Sequence, residues 1–264
     1  MITEGPAGFT SRLVASPCCL PTMLQEELFP TYRKLGFRNY EAFSHWAACR
    51  HAWTGNPAAD RAAAAAFGLQ ITSYHLPSIG KNIEEGLQAA LAAARYASRL
   101  GDGVVVLFKA DSREIFAKIG RRFLDALEAE RLGVTPVLQN HKGTAISTLD
   151  DYREVLAAIN DSRLRCILEV GHFQRVGVSW KQGWDLLGDR IALIHVNDIR
   201  NDQSVLYGTG EVDFPGLMKQ IKTAGYDGRI VVELELPKRN EAPRETLEGL
   251  RSAIGFLSRC YQNA

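Results

Sequence analysis

Six histidines occur in this sequence of 264 residues, and four of them, His75, His141, His172 and His195, stand at or just beyond the ends of short apolar runs. Lys109, the Gln139-Asn140-His141 triplet, Glu169, Asp198, Glu233 and Glu235 hold the same kind of position. Imidazoles and carboxylates converging from neighbouring strands can hold a divalent ion, polarise a carbonyl and move protons. A single histidine is as well explained as a hydrogen-bonded rim side chain, so the grouping is what points to chemistry. His45 and His51 fall outside the group.

The elements that must present these residues are legible as strands alternating with helices. Periodicity predicts strands over Leu13–Ser16, Asn39–Phe43, Leu69–Tyr74, Gly103–Phe108, Thr135–Asn140, Arg165–Glu169, Ile191–Val196 and Ile230–Glu235. Between and after them it predicts helices over Thr22–Leu35, Pro57–Phe67, Asn82–Leu100, Ser112–Leu132, Thr148–Ile159, Trp180–Leu187, Asp213–Ala224 and Arg244–Tyr261. Runs such as VVVLF and ALIHV are apolar on consecutive positions, the pattern of parallel strands buried on both faces. Gly36, Gly68, Gly101, Gly133 and Gly225 each follow a helix, where a left-handed cap is expected. Eight β/α units of about 33 residues match an α/β fold of the (β/α)8 TIM barrel type, a single domain over residues 1–264. A doubly wound open sheet is the alternative, but no G-x-G-x-x-G follows the first strand. In a barrel, the carboxyl ends of the strands form the active site, which is where the polar residues cluster.

Composition narrows the partners. Hydrophobic residues make up 46% and charged residues 23%, as in an ordinary globular protein. Lys+Arg 31 against Asp+Glu 30 gives a net charge of +1 with no run of five like charges, so the footprint of a nucleic-acid binder is missing. No apolar stretch approaches the roughly 18 residues of a membrane span, and MITEGPAGFT lacks the basic and apolar regions of a secretory leader. A cytoplasmic protein acting on a small molecule is expected. The five cysteines form no C-x-x-C pair, and Cys18-Cys19 reads as two buried thiols.

Four segments resemble the xylose isomerase-like TIM barrels, the sugar phosphate isomerase/epimerase group that includes tagatose-type epimerases, inosose dehydratases and endonuclease IV. GVTPVLQNHKG (133–143) resembles the family's fifth strand ending in E-N-H, and CILEVGH (166–172) resembles its D-x-G-H. IALIHVND (191–198) is similar to the H-x-K-D ending of strand seven. GTGEVDF through GYDGRIVVE (208–233) resembles the G-x-G-x-x-D loop and a last strand ending in Glu. The likeness spans essentially the whole chain. It implies one divalent ion, Mn²⁺, Mg²⁺ or Zn²⁺, held by Gln139, Glu169, His195 and Glu233, with His172 and Asp198 around it. Gln139 replaces the family's glutamate and Glu169 its aspartate, which leaves two carboxylates where the family has three. The resemblance admits a homo-oligomer.

Such a site implies isomerisation or epimerisation of a sugar-like keto substrate by proton abstraction next to a carbonyl through a metal-stabilised enediolate. Glu233 is the expected base. Glu169, His172 or His141 would return the proton, since the Gln139 amide cannot. His75, His141, Asp198, Lys109 and Arg200 are expected to bind substrate, Lys109 and Arg200 through an acidic group. Loss of one carboxylate suits a dehydratase or other lyase, which needs one base and one acid, and a non-catalytic binding subunit is a further reading. Phosphodiester cleavage would need more metals and a cationic surface. Two smaller features complete the reading: the glycine loop at Tyr207–Glu211 could hold an anionic group, and Phe43, His45, Trp46, Trp53 and Tyr74 could wall a sugar ring.

Overall fold

Strands buried on both faces must be covered by helices outside and close on themselves inside, and this chain does both. The computed structural model describes residues 8–264, so most of the leader-free reading of MITEGPAGFT lies outside the described residues. The strands are β1 Leu13–Ala15, β2 Asn39–Phe43, β3 Gln70–His75, β4 Val105–Leu107, β5 Thr135–Leu138, β6 Arg165–Glu169, β7 Ile191–Val196, β8 Ile199–Arg200, β9 Gln203–Ser204 and β10 Arg229–Val232. The helices are α1 Gln25–Leu35, α2 Pro57–Ala66, α3 Ile83–Ala97, α4 Arg113–Ala129, α5 Leu149–Ile159, α6 Val170–Gln174, α7 Trp180–Leu187, α8 Phe214–Thr223 and α9 Pro243–Gln262. Eight strands close in the order β1-β10-β7-β6-β5-β4-β3-β2, all neighbours parallel, giving the TIM barrel. The hairpin β8-β9 and the one-turn helix α6, both beyond strand ends, are additions that periodicity did not predict.

Several expected strands end early. Glu235 and Asn140 lie beyond β10 and β5, because the chain leaves the barrel as soon as its side chains reach the mouth. Gly36, Gly68, Gly133 and Gly225 adopt the expected left-handed backbone. Gly101 does not: a Cβ there would lie 2.9 Å from the Ile71 carbonyl oxygen, so close backbone approach explains this glycine.

Two apolar layers form. The large one lies between strands and helices. The smaller fills the barrel with Val14, Val105, Leu107, Val137, Ile167, Leu193 and Val231. Because strand side chains alternate with period two, the residues one step further along the same face are Ser16, Lys109, Gln139, Glu169, His195 and Glu233. An apolar plug thus carries a polar layer directly above it. β2 and β3 add nothing to the plug. Glu41 pairs with Ser73 across them, and an irregularity that leaves Thr72 without a partner puts Ser73 and His75 in step with Glu41 and Phe43.

Ile167 is fully buried in the plug, one pleat step below Glu169. Ile167→Ala is expected to lower stability by about 2–5 kcal/mol in urea unfolding. An unchanged midpoint would show that the plug is not close-packed.

Candidate active site

His195 is fully buried at the end of β7, beside Glu169 in the β6 register, and it is the hub of the polar layer. Its Nδ1 lies 2.9 Å from Glu169 Oε2 and 3.1 Å from Glu233 Oε1. Its Nε2 lies 3.2 Å from Glu41 Oε2. Glu41 in turn is 3.2 Å from His75 Nε2 and accepts hydrogen bonds from Ser16 Oγ and Ser73 Oγ, each at 3.1 Å. Lys109 Nζ donates to His75 Nδ1 at 2.8 Å. One connected chain therefore runs Lys109, His75, Glu41, His195, and then to Glu169 and Glu233.

Glu41 was not anticipated from sequence. A carboxylate in the middle of NYEAF, with no breaker near it, reads as a solvent-facing strand position, yet here it is wholly buried. The available signal was its place one step before Phe43 on a strand expected to be buried on both faces. Burial alone would raise its carboxyl, but the imidazoles of His195 and His75 hold it well below the usual carboxylate range. His195 shows the mirror effect: burial would lower it, and Glu41, Glu233 and Glu169 together raise it well above an ordinary histidine. His75, buried and facing the Lys109 cation, is pushed down to about 3. Glu233 is pushed up to about 7 by burial and by the Glu169 charge. Burial lowers Lys109 to about 8, against the opposing pull of Glu41 and Glu233.

Residues outside the layer hold it in place. Asn140 clamps the backbone of Glu169, accepting from its N–H at 3.1 Å and donating to its carbonyl at 3.0 Å. The Tyr207 hydroxyl bridges the carbonyls of Val196 (2.6 Å) and Glu233 (2.9 Å), tying β7 to the end of β10. Asp198 is buried and accepts from the backbone N–H groups of Gly208 (2.8 Å), Gly210 (2.9 Å) and Val212 (3.3 Å). The glycine loop thus does hold an anion, but the anion is the protein's own Asp198. A Cβ at Gly210 would sit 2.0 Å from Asp198 Oδ1, which is why a glycine stands there.

The remaining expected site residues divide clearly. Gln139 is next to Glu169, its amide nitrogen 3.3 Å from Oε2, an assignment that an amide flip would reverse to present oxygen. His141 and His172 pack against each other at the rim, ring centres 3.6 Å apart. Burial lowers both, His172 to about 2, so each is neutral. Arg200 is exposed on the β8-β9 hairpin, and Asp198 faces its loop, so neither joins the His195 cluster. Phe43 stacks on His75 at 3.9 Å and packs near Trp46 at 5.6 Å. Tyr74 instead faces the helices and donates to the His51 carbonyl at 2.6 Å, which takes it out of the proposed sugar wall. A cavity of about 420 Å³ opens beside Lys109, Gln139 and His141, with Phe108, Phe116 and Ile146 on its apolar side.

The cluster has the donors that a divalent ion needs. Carboxylate and imidazole atoms of Glu41, His195 and Glu233 lie within 4.8 Å of one another, and among the described residues Glu169 Oε1, His195 Nε2 and His75 Nε2 are buried with no hydrogen-bond partner. Glu41 accepts from two hydroxyls, and the Nδ1 side of His195 is flanked by Glu169 and Glu233, with Gln139 beside Glu169.

Known proteins of this shape were found by sequence and by structure. The family model for xylose isomerase-like TIM barrels matches residues 29–259. An inosose dehydratase of Lacticaseibacillus casei is 24% identical over 136 residues, covering 44% of this chain and 46% of the relative. The chain spans about half the length of the curated relatives it matches. Among solved structures, the IOLI protein with a binding zinc atom superposes with a TM-score of 0.77 at 14% identity, over 95% of this chain and 99% of that one. An L-ribulose 3-epimerase superposes with a TM-score of 0.73 at 15% identity, over 96% and 95%. The described residues contain no helix long and apolar enough to cross a membrane.

Removing the Glu41 carboxylate strands two buried imidazoles. Glu41→Ala is expected to lower stability by about 3–5 kcal/mol at pH 7, measured by denaturant unfolding. Because the folded carboxyl titrates below its unfolded value of about 4.3, its contribution is present above about pH 5 and is lost as pH falls. Stability of Glu41→Gln should therefore fall less steeply in acid than that of the wild type, and parallel acid curves would contradict the role given to Glu41.

Proposed function

The chain belongs to the xylose isomerase-like TIM barrel family, and on that footing we propose that it is a metal-dependent isomerase or epimerase of a small keto sugar or keto polyol. The observation that carries this reading is the convergence of Glu169, His195 and Glu233 around one imidazole nitrogen, with Gln139 beside them and a cavity next to Gln139. Gln139, Glu169, His195 and Glu233 would hold the ion, with Glu41 3.2 Å from the other ring nitrogen of His195. When bound, a divalent ion supplies Lewis-acid polarisation of the substrate carbonyl.

The chain's own groups supply the rest. Glu233 is the base that takes the proton next to the carbonyl. Neutral His141 and His172 at the rim offer hydrogen bonds to substrate hydroxyls. Phe43, stacked on His75, gives apolar surface to C–H groups. A second reading, dehydration, is favoured by Gln139, because an elimination needs only one base, with an acid at the departing hydroxyl.

In D₂O with Mn²⁺, the protein should exchange the α-proton of L-ribulose, D-tagatose or inosose, as followed by NMR. Glu233→Gln should reduce that exchange about 100-fold or more. Exchange with none of the three would overturn the reading, whereas water loss from inosose alone would favour dehydration. Gln139→Glu, which restores a third carboxylate, should bind Mn²⁺ more tightly in calorimetry, and unchanged affinity would remove Gln139 from the ion's surroundings.

A further inference from the structure

Epimerisation needs a proton taken from one face of a carbon and another delivered to the opposite face. Glu233 can do the first. The chain has an amide, Gln139, where a second carboxylate would do the other, and an amide neither gives nor takes a proton near neutral pH. The group that delivers the second proton must be titratable, must stand at the barrel mouth and must approach from the wall facing Glu233.

Lys109 meets all three conditions. β4, which leads to Lys109, and β10, which leads to Glu233, are four places apart in the ring of eight strands, so the two residues rise from diametrically opposite walls. Lys109 stands one pleat step above Leu107 of the interior plug and borders the cavity next to Gln139. Of its three N–H donors, one is given to His75 Nδ1, and among the described residues the others have no side-chain or backbone acceptor. His75 is held in turn by Glu41, so the ammonium is positioned through side chains that do not themselves need to move.

We propose that Lys109 is the second acid/base catalyst, facing Glu233 across the substrate. This rests on the keto-sugar reading of the site. Glu233 removes the α-proton, and the C–H electron pair becomes the enediolate double bond. The Lys109 ammonium then gives a proton to the opposite face of the same carbon, the new C–H bond forms and the carbonyl is restored. Glu233 is left as a neutral acid and Lys109 as a neutral amine, and exchange of protons with water resets both. In the reverse direction the neutral amine is the base. The titratable groups facing Lys109 are Glu41, His45, His75, His141 and Glu233, and burial leaves its amine within reach of both protonation states at about 8.

The test separates the two proton transfers. With Mn²⁺ and whichever of L-ribulose, D-tagatose or inosose the wild type turns over, Lys109→Gln should lose net conversion about 100-fold or more while α-proton exchange with D₂O stays within about fivefold. Lys109→Arg should behave the same way, because guanidinium keeps the charge but cannot give up a proton. Rescue by arginine, or conversion and exchange falling together, would overturn the proposal and leave Lys109 a substrate-binding charge. Absence of exchange in the wild type would overturn both this proposal and the reading beneath it.

Discussion

Three carboxylates, Glu41, Glu169 and Glu233, approach a single buried imidazole in a region walled by the barrel's own apolar plug. Taking that much negative charge out of water is costly unless positive charge comes with it. His195, held in its charged form by its neighbours, can offset one carboxylate, and Lys109 partly offsets Glu41 through His75. The remainder is carried as a proton on Glu233, whose carboxyl is pushed up to about 7, or is met by a divalent cation. Proton and cation compete for the same pair of groups, so the charge problem and the chemistry share one origin.

The barrel solves this with a period-two device. Each strand places an apolar residue in the plug and, two residues later, a polar one above it, as in Ile167 and Glu169, Leu193 and His195, or Val231 and Glu233. Precision comes from the next shell: Asn140 fixes the Glu169 backbone, Tyr207 joins the ends of β7 and β10, and Asp198 organises the glycine loop that carries Tyr207. These contacts are local and directional, while the plug is neither. A polar layer resting on a close-packed floor can be exact in geometry although its members come from strands far apart in sequence.

Much of this was legible in the residue order. Consecutive apolar runs identified the parallel strands, and β2, β6 and β7 have the boundaries that periodicity predicts. Gln139, Glu169, His195 and Glu233 each end such a run, and the family resemblance singles them out as one set. Glu41 was hidden because it lies inside a strand, where a lone acid usually faces water, and only the irregular pairing at Thr72 turns the neighbouring strand to meet it. Asp198 and Arg200 looked alike as polar residues past a strand end. Their separate fates, one buried under a loop and the other exposed on a hairpin, depend on turns that leave no periodic trace. Gly101 resembled the four capping glycines for the same reason: the signal shows that a glycine is wanted, not whether for torsion or for space.

The central claim is that the Nδ1 side of His195 is a cation site, and metal stoichiometry tests it most directly. Protein purified without chelator and equilibrated with Mn²⁺, Mg²⁺ and Zn²⁺ would be analysed by inductively coupled plasma mass spectrometry alongside His195→Ala. About one divalent ion per wild-type chain, lost in the variant, is the predicted result. Wild-type protein that retains no ion, or a variant that retains as much as the wild type, would contradict the account.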